Sequence, residues 1–134
     1  MCNLEQHNMK MITIKTGLVI ASLFVFFSFT IPTWEIPEKY QKVKNPYPEK
    51  GIETGQKIYK KTCAVCHLTN GTGNDVITPI DFTSDEFQAQ TDGTFYYKIT
   101  EGKKGTAMKA YGDDYAEKKL WYLVNYLRTF KKDS

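Results

Sequence analysis

At 134 residues and a net charge of +3, the chain allows one domain of moderate size or a small domain plus a non-globular leader, and the second fits better because the first third has no compact pattern. The charge is too mild for a nucleic-acid protein, and no basic run alternates with aromatics. Cys63 and Cys66 stand together and Cys2 stands apart near the N-terminus; the globular part has no disulfide framework and no second C-x-x-C for a four-thiolate zinc site.

Lys10 and Lys15 precede an apolar run from Leu18 to Phe29, the form of a secretory signal. Its place at the N-terminus and its lack of a polar face argue against a buried core helix. Ser28 and Thr30 are small enough for a cleavage site, but there is no A-x-A. As a helix, Gly17 to Ile31 spans about 22 Å, short of the roughly 30 Å hydrocarbon core unless flanking residues extend it. Residues 1–30 therefore read as a signal peptide or a membrane anchor, with residues 11–31 as the anchoring span. The preceding lysines favour an N-in orientation, which exports the rest either way. The expected location is the periplasm or the outer face of the cytoplasmic membrane. Cys2 follows no apolar segment and is not a lipoprotein site; Met9 and Met11 are alternative starts.

Residues 31–50 hold Pro32, Pro37, Pro46 and Pro48, mixed with charges and without helical or strand periodicity. Such a stretch is expected to be an extended, semi-rigid tether reaching up to about 60 Å. Its aromatics, Trp34, Tyr40 and Tyr47, either pack on the outside of the following domain or, for Trp34 in particular, sit among lipid headgroups.

A first helix is expected from about Thr54 to Cys63, opened by Glu53 or Thr54, with Ile58 and Tyr59 on its apolar side. Gly55 inside it costs about 1 kcal/mol relative to alanine, so either a close helix crossing requires it or it is tolerated near the helix start. Then comes Cys63-Ala64-Val65-Cys66-His67. Two thiols three positions apart lie on one side of a helical turn, and an imidazole follows at once. C-x-x-C-H is the attachment signature of c-type haem: both sulfurs bond to the vinyl groups and the histidine reaches the iron. In isolation the spacing also suits a thioredoxin-like redox pair or half a zinc site.

Asn70 to Asp75 is rich in turn formers; no Gly-Lys-Ser/Thr follows it, which excludes a phosphate-binding loop. Pro79 lies in the same connection. Ser84 or Asp85 begins a short helix through about Gln90. Asp92 is the expected N-cap of another, with Phe95, Tyr96 and Ile99 apolar and Gly102 ending it. Lys103 to Lys109 reads as an exposed loop carrying Met108, the only methionine beyond the leader, 41 positions after His67. Asp113 or Asp114 is expected to cap the final helix, where Leu120, Leu123, Val124 and Leu127 form one apolar stripe. Trp121 and Tyr122 extend it, and Arg128, Lys131 and Lys132 suit the C-terminal end of its dipole.

Taken in order, Gly55-x-x-Ile58-Tyr59, the Cys63–His67 motif, Pro79, the lone Met108 and the helix from Leu120 to Arg128 resemble a class I c-type cytochrome. The resemblance runs from about Thr54 to Phe130. It implies an all-α fold, a small His/Met-ligated cytochrome c wrapped around one covalent haem c, with residues 51–134 as the haem domain. It also implies thioether bonds at Cys63 and Cys66, axial iron ligands at His67 and Met108, and packing of Gly55 against Tyr126. The Pro79 carbonyl would accept the Nδ1 proton of His67, fixing its tautomer and orienting its ring. Lys109 departs from the proline that often follows the family's methionine.

With both axial positions taken, no site on the iron remains for a substrate, and one-electron exchange is left. The expectation is an electron carrier, not an enzyme, in a respiratory or dehydrogenase-linked chain. It would dock transiently on redox partner proteins, with Lys60, Lys61, Lys103, Lys104 and Lys109 steering the encounter; an ordinary solvated surface is the other reading of these lysines. One alternative is a haem enzyme or gas sensor with a labile or open sixth ligand, for which His7 and Arg128 offer little. Another is a fixed cytochrome subunit of a larger membrane redox complex. No nucleic-acid partner and no small-molecule substrate are expected.

Overall fold

The computed structural model describes residues 34–132, part of one compact unit that begins at Trp34. The expected signal peptide or anchor of residues 1–30 lies outside the described residues. Among those described, regular structure is helical, apart from one isolated bridge between Asn74 and Thr78. No described helix is long and apolar enough to cross a membrane. The helices are α1 (Glu38–Gln41), α2 (Ile52–Ile58), α3 (Ala64–His67), α4 (Asp85–Gln88), α5 (Asp92–Glu101) and α6 (Glu117–Arg128), with a π-helical turn, Tyr59–Cys63, joining α2 to α3.

The apolar stripe of α6 is the centre of the core. Leu120, Leu123, Val124 and Leu127 are all buried, and Trp121 is buried with its ring stacked on Tyr96 of α5. Opposite them, α2 and the turn after it contribute Ile58 and Tyr59, and α5 contributes Phe95 and Ile99. Burial of each such side chain is worth about 1.5–3 kcal/mol. The crossing of α2 over α6 depends on Gly55: a Cβ there would collide with the Tyr122 carbonyl and come within 2.9 Å of the Tyr126 Cβ. Tyr126 is thus a neighbour of this glycine, as expected, but the α6 backbone at Tyr122 is nearer still.

Several helix boundaries differ from the sequence expectation. The first helix starts at Ile52 rather than Thr54, with Gly51 at its N-cap. Thr91, not Asp92, caps α5: its hydroxyl accepts the Thr94 N–H at 3.2 Å. Asp92 sits instead in the first turn, bonded to Arg128. Ser84 caps α4, which stops at Gln88, short of Gln90. The last helix begins only at Glu117, and neither Asp113 nor Asp114 caps it; the Asp114 carboxylate is held by Lys109 Nζ at 2.6 Å.

The proline-rich stretch, from Trp34 on, is not an extended tether. It makes the helical turn α1 and lies along α5 and α6. Gly93 in α5 admits it, since a Cβ there would collide with the Tyr40 carbonyl. Tyr40 packs on Tyr97 at 4.7 Å, Tyr47 meets Tyr122 edge-on at 6.0 Å, and Trp34 lies beneath Lys98 and Lys103. Buried Asn125 of α6 holds it: its Nδ2 donates to the carbonyls of Tyr47 and Lys50, and its Oδ1 accepts from Asn45. Four prolines bar a long helix, but backbone carbonyls turned toward α6 are satisfied by one buried amide.

Candidate haem attachment site

Cys63, Cys66 and His67 share one continuous helical run, and its π turn falls immediately before the second and third of them. Such a turn within an α-helix frequently marks a functional position. Both thiols are free and half-buried. Burial, and then the neighbouring Cys66, push the Cys63 thiol up to about 12, so it stays protonated at neutral pH. Burial lowers the His67 imidazole, which favours its neutral, ligating form.

The run ends abruptly after His67. Leu68 takes φ 60° and ψ 160°, and its carbonyl accepts the Tyr59 hydroxyl at 2.6 Å. Tyr59 is wholly buried, and that burial raises its hydroxyl well above the ordinary phenol range, so it remains a donor. One turn thus presents the three side chains while a buried phenol one turn earlier pins its end.

Pro79 lies in the loop after His67, which closes through the two-way pairing of Asn74 with Thr78 at 2.6 and 2.7 Å. His67 Nδ1 is buried, with no hydrogen-bond partner among the described residues. The face of the imidazole lies on the ring of Phe82, centroids 4.6 Å apart and planes inclined by 26°.

Met108 is half-buried in a loop that folds on itself. Its carbonyl accepts the Lys103 N–H at 2.7 Å, and its own N–H donates to the Thr106 hydroxyl at 3.2 Å. Lys109, the departure from the family's proline, is drawn to Asp114 and over the Tyr111 ring at 5.0 Å. One hydrogen bond ties the following segment to the turn that leads into the cysteines: Tyr115 and Thr62 share it at 2.7 Å. Burial, and then Cys63, raise the Tyr111 hydroxyl.

The donor set fits a covalent haem. Two thiols and a neutral imidazole stand on one turn, and apolar side chains on that turn and in the loop after it are exposed: Val65 is 76% exposed, Val76 92%, Ile77 57% and Ile80 44%. An apolar prosthetic group is the partner such side chains suit. Sequence reasoning missed Phe82, the Tyr59 hydroxyl and the Arg128 clamp. Phe82 lies fifteen residues beyond His67 in an irregular segment, where no periodicity betrays a contact. Arg128, the chain's only arginine, was expected merely to suit a helix dipole. It donates to Asp92, to the Gln88 and Gln90 carbonyls, and covers Phe95 at 4.3 Å.

An all-helical domain closed by such a turn is that of a c-type cytochrome. Residues 50–127 match the family described as cytochrome c oxidase, cbb3-type, subunit III, and the chain belongs to it. Among solved structures it is similar to the KustC0563 c-type cytochrome, at 28% identity and a TM-score of 0.54, over 58% of this chain and 98% of that one. It is also similar to a chain of the Kuenenia stuttgartiensis reducing HAO-like protein complex Kustc0457/Kustc0458, at 25% identity and a TM-score of 0.58. That likeness covers 79% of this chain and 54% of the other. No curated protein matches the chain. Its cofactor is covalent, iron-bearing haem c, and its function is haem c electron transfer.

Proposed function

We propose that the chain is an electron carrier rather than an enzyme, with Cys63 and Cys66 forming the thioether bonds and His67 and Met108 the axial ligands. The observation that carries this is the single turn on which both thiols and a neutral imidazole meet. Haem c, when bound, supplies one-electron exchange. The chain's own residues would hold it: burial favours the neutral form of His67, and two hydrogen bonds fix the backbone of Met108 in its loop. A soft, neutral sulfur ligand raises the potential. Arg128, the one guanidinium near the core, is engaged by Asp92, Gln88 and Gln90, which argues against a distal catalytic group.

Lys60 and Lys61 are exposed beside the cysteine pair, placed to steer an acidic redox partner toward it. Export to the periplasm or the outer membrane face, by a leader in residues 1–30, completes this reading. A second reading, a fixed relay in a multi-subunit redox assembly, is favoured by the likeness to a chain of the HAO-like complex. Mild detergent extraction separates the two: a co-purifying membrane partner supports the relay, and its absence the mobile carrier.

Spectroscopy of the full chain, produced in a host that matures c-type haem, tests the ligand set. Colour retained after acid–organic extraction is expected, and lost in the Cys63→Ser/Cys66→Ser double variant. Met108→Ala is expected to keep the haem but lower its potential and admit carbon monoxide. An unchanged potential without carbon monoxide binding would exclude Met108 as a ligand.

A further inference from the structure

Helix α5 stops at Glu101, and a single residue, Gly102, separates it from the loop that carries Met108. Gly102 is buried at φ 63° and ψ −169°, a conformation that only glycine adopts freely. A Cβ there would collide with the backbone of Lys109 and Ala110 as the chain returns from the loop. Just past this joint, Lys103 is the hub of the loop. Its N–H donates to the Met108 carbonyl at 2.7 Å, and its carbonyl accepts the Thr106 N–H at 3.1 Å and the Thr106 hydroxyl at 2.8 Å. The Thr106 hydroxyl in turn accepts the Met108 N–H at 3.2 Å. The backbone of Met108 therefore follows that of Lys103.

Two lysines flank the joint, Lys98 four residues before it and Lys103 immediately after. Both ammonium groups lie over the ring of Trp34, at 5.3 and 5.7 Å from its centroid. Both lysines are half-buried, whereas the next residue, Lys104, is exposed. Lys98 Nζ donates to Gln90 Oε1 at 2.5 Å. Burial, and then the nearby Lys103, lower the Lys98 ammonium below its usual range. Two like charges this close repel one another, and the electron-rich face of an indole attracts both. Trp34 does not hang on these contacts alone, since the strap that follows it is fastened to α5 by Tyr40 on Tyr97 and to α6 by Asn125.

We propose that Trp34 is a positioning residue for the Met108 loop: its ring gathers Lys98 and Lys103 from the two sides of the Gly102 joint and so braces the segment that offers the methionine. This rests on the reading of Met108 as an iron ligand. It gives the proline-rich strap a part in the redox centre, and it supplies by tertiary contact the stiffness that a proline at position 109 would build into the backbone. Lys103 then serves as a brace rather than as a free steering charge.

The test uses the full haem-loaded chain and two readouts of the sixth ligand: the far-red band that sulfur on ferric iron produces, and carbon monoxide binding by the ferrous form. Carbon monoxide binds only where the sulfur has left, so its apparent affinity follows the population of the released state. Trp34→Leu keeps an apolar side chain and removes the aromatic face. It is expected to raise that affinity about fivefold, the scale of two partly exposed cation–π contacts, and to make the far-red band fade at a lower temperature. Trp34→Phe keeps a face and is expected to recover most of the difference. Lys103→Gln is expected to act in the same direction as Trp34→Leu, and the double variant no more strongly than Trp34→Leu alone. Tyr47→Leu, in the same strap but packed on Tyr122 of α6, is expected to lower the melting temperature and leave both readouts unmoved. Wild-type carbon monoxide affinity in Trp34→Leu, an equal rise in Tyr47→Leu, or additive effects of Trp34→Leu and Lys103→Gln would reduce Trp34 to ordinary packing and overturn the proposal. Failure of the underlying reading looks different: the far-red band would then be missing from wild type or survive Met108→Ala.

Discussion

Leu68 carries φ 60° and ψ 160° directly after His67, a conformation that glycine adopts freely and that costs a side-chain-bearing residue about 1–3 kcal/mol. The Tyr59 hydroxyl and the Gly71 N–H both donate to its carbonyl and hold it there. Leu68→Gly relieves the strain but adds about 1 kcal/mol of chain entropy. A net gain of about 1 kcal/mol is expected in urea unfolding of the haem-loaded protein; a loss would mean that the half-exposed side chain packs against something essential. Asp81 gives a pH-dependent counterpart. The Thr83 hydroxyl and N–H both donate to its Oδ1 at 2.8 Å and hold its carboxyl below the usual range. A depressed carboxyl contributes stability that is present above its unfolded value and lost as pH falls through its folded one. Wild type is therefore expected to exceed Asp81→Asn in denaturant midpoint at pH 7, with the gap closing as pH falls from about 4 toward 3. A gap constant across that range would remove the carboxylate as its source.

Among the elements, the pairing of α2 with α6 bears most of the domain's organisation. It brings the cysteine run against the apolar stripe of the closing helix, and it is permitted by one missing side chain. Gly55→Ala forces a Cβ into the Tyr122 carbonyl, and backbone cannot swing aside as a flexible side chain does. The expected cost is about 3 kcal/mol, despite alanine's better helix propensity. Thermal unfolding of the two proteins decides between this and a glycine merely tolerated near a helix start, for which alanine would stabilise by about 1 kcal/mol. The caps tell a related story. Asp92 has the chemistry of an N-cap, but Thr91 precedes it and takes that place, freeing the carboxylate for Arg128. When adjacent residues can both cap, a tertiary partner decides which one does.

At the scale of the whole molecule, the stretch from Trp34 to Lys50 belongs to the same compact unit as the helices that follow. It is fastened by Asn125, whose side chain makes three hydrogen bonds to residues 75 to 80 positions away. Asn125→Ala leaves the Tyr47 and Lys50 carbonyls without their donor. A loss of about 2 kcal/mol is expected, together with faster limited proteolysis within residues 34–50. Loss of stability with an unchanged cleavage pattern would show that the aromatic contacts at Tyr40 and Tyr47 hold the segment without Asn125.

What the amino-acid sequence determined by itself was local or periodic. C-x-x-C-H puts three donors on one turn through helical geometry alone, and the spacing of Leu120, Leu123, Val124 and Leu127 declares both a helix and its buried face. Gly55 was readable because a glycine inside a helix is costly without a close neighbour. Only the tertiary structure decided that the proline-rich stretch lies against α5 and α6, that Arg128 clamps α4 and α5, and that Phe82 stacks on the His67 ring. Those contacts join residues 15 to 80 positions apart through irregular segments. There the chain has no period to expose a partner, and which polar or aromatic group arrives first is settled by how the helices pack.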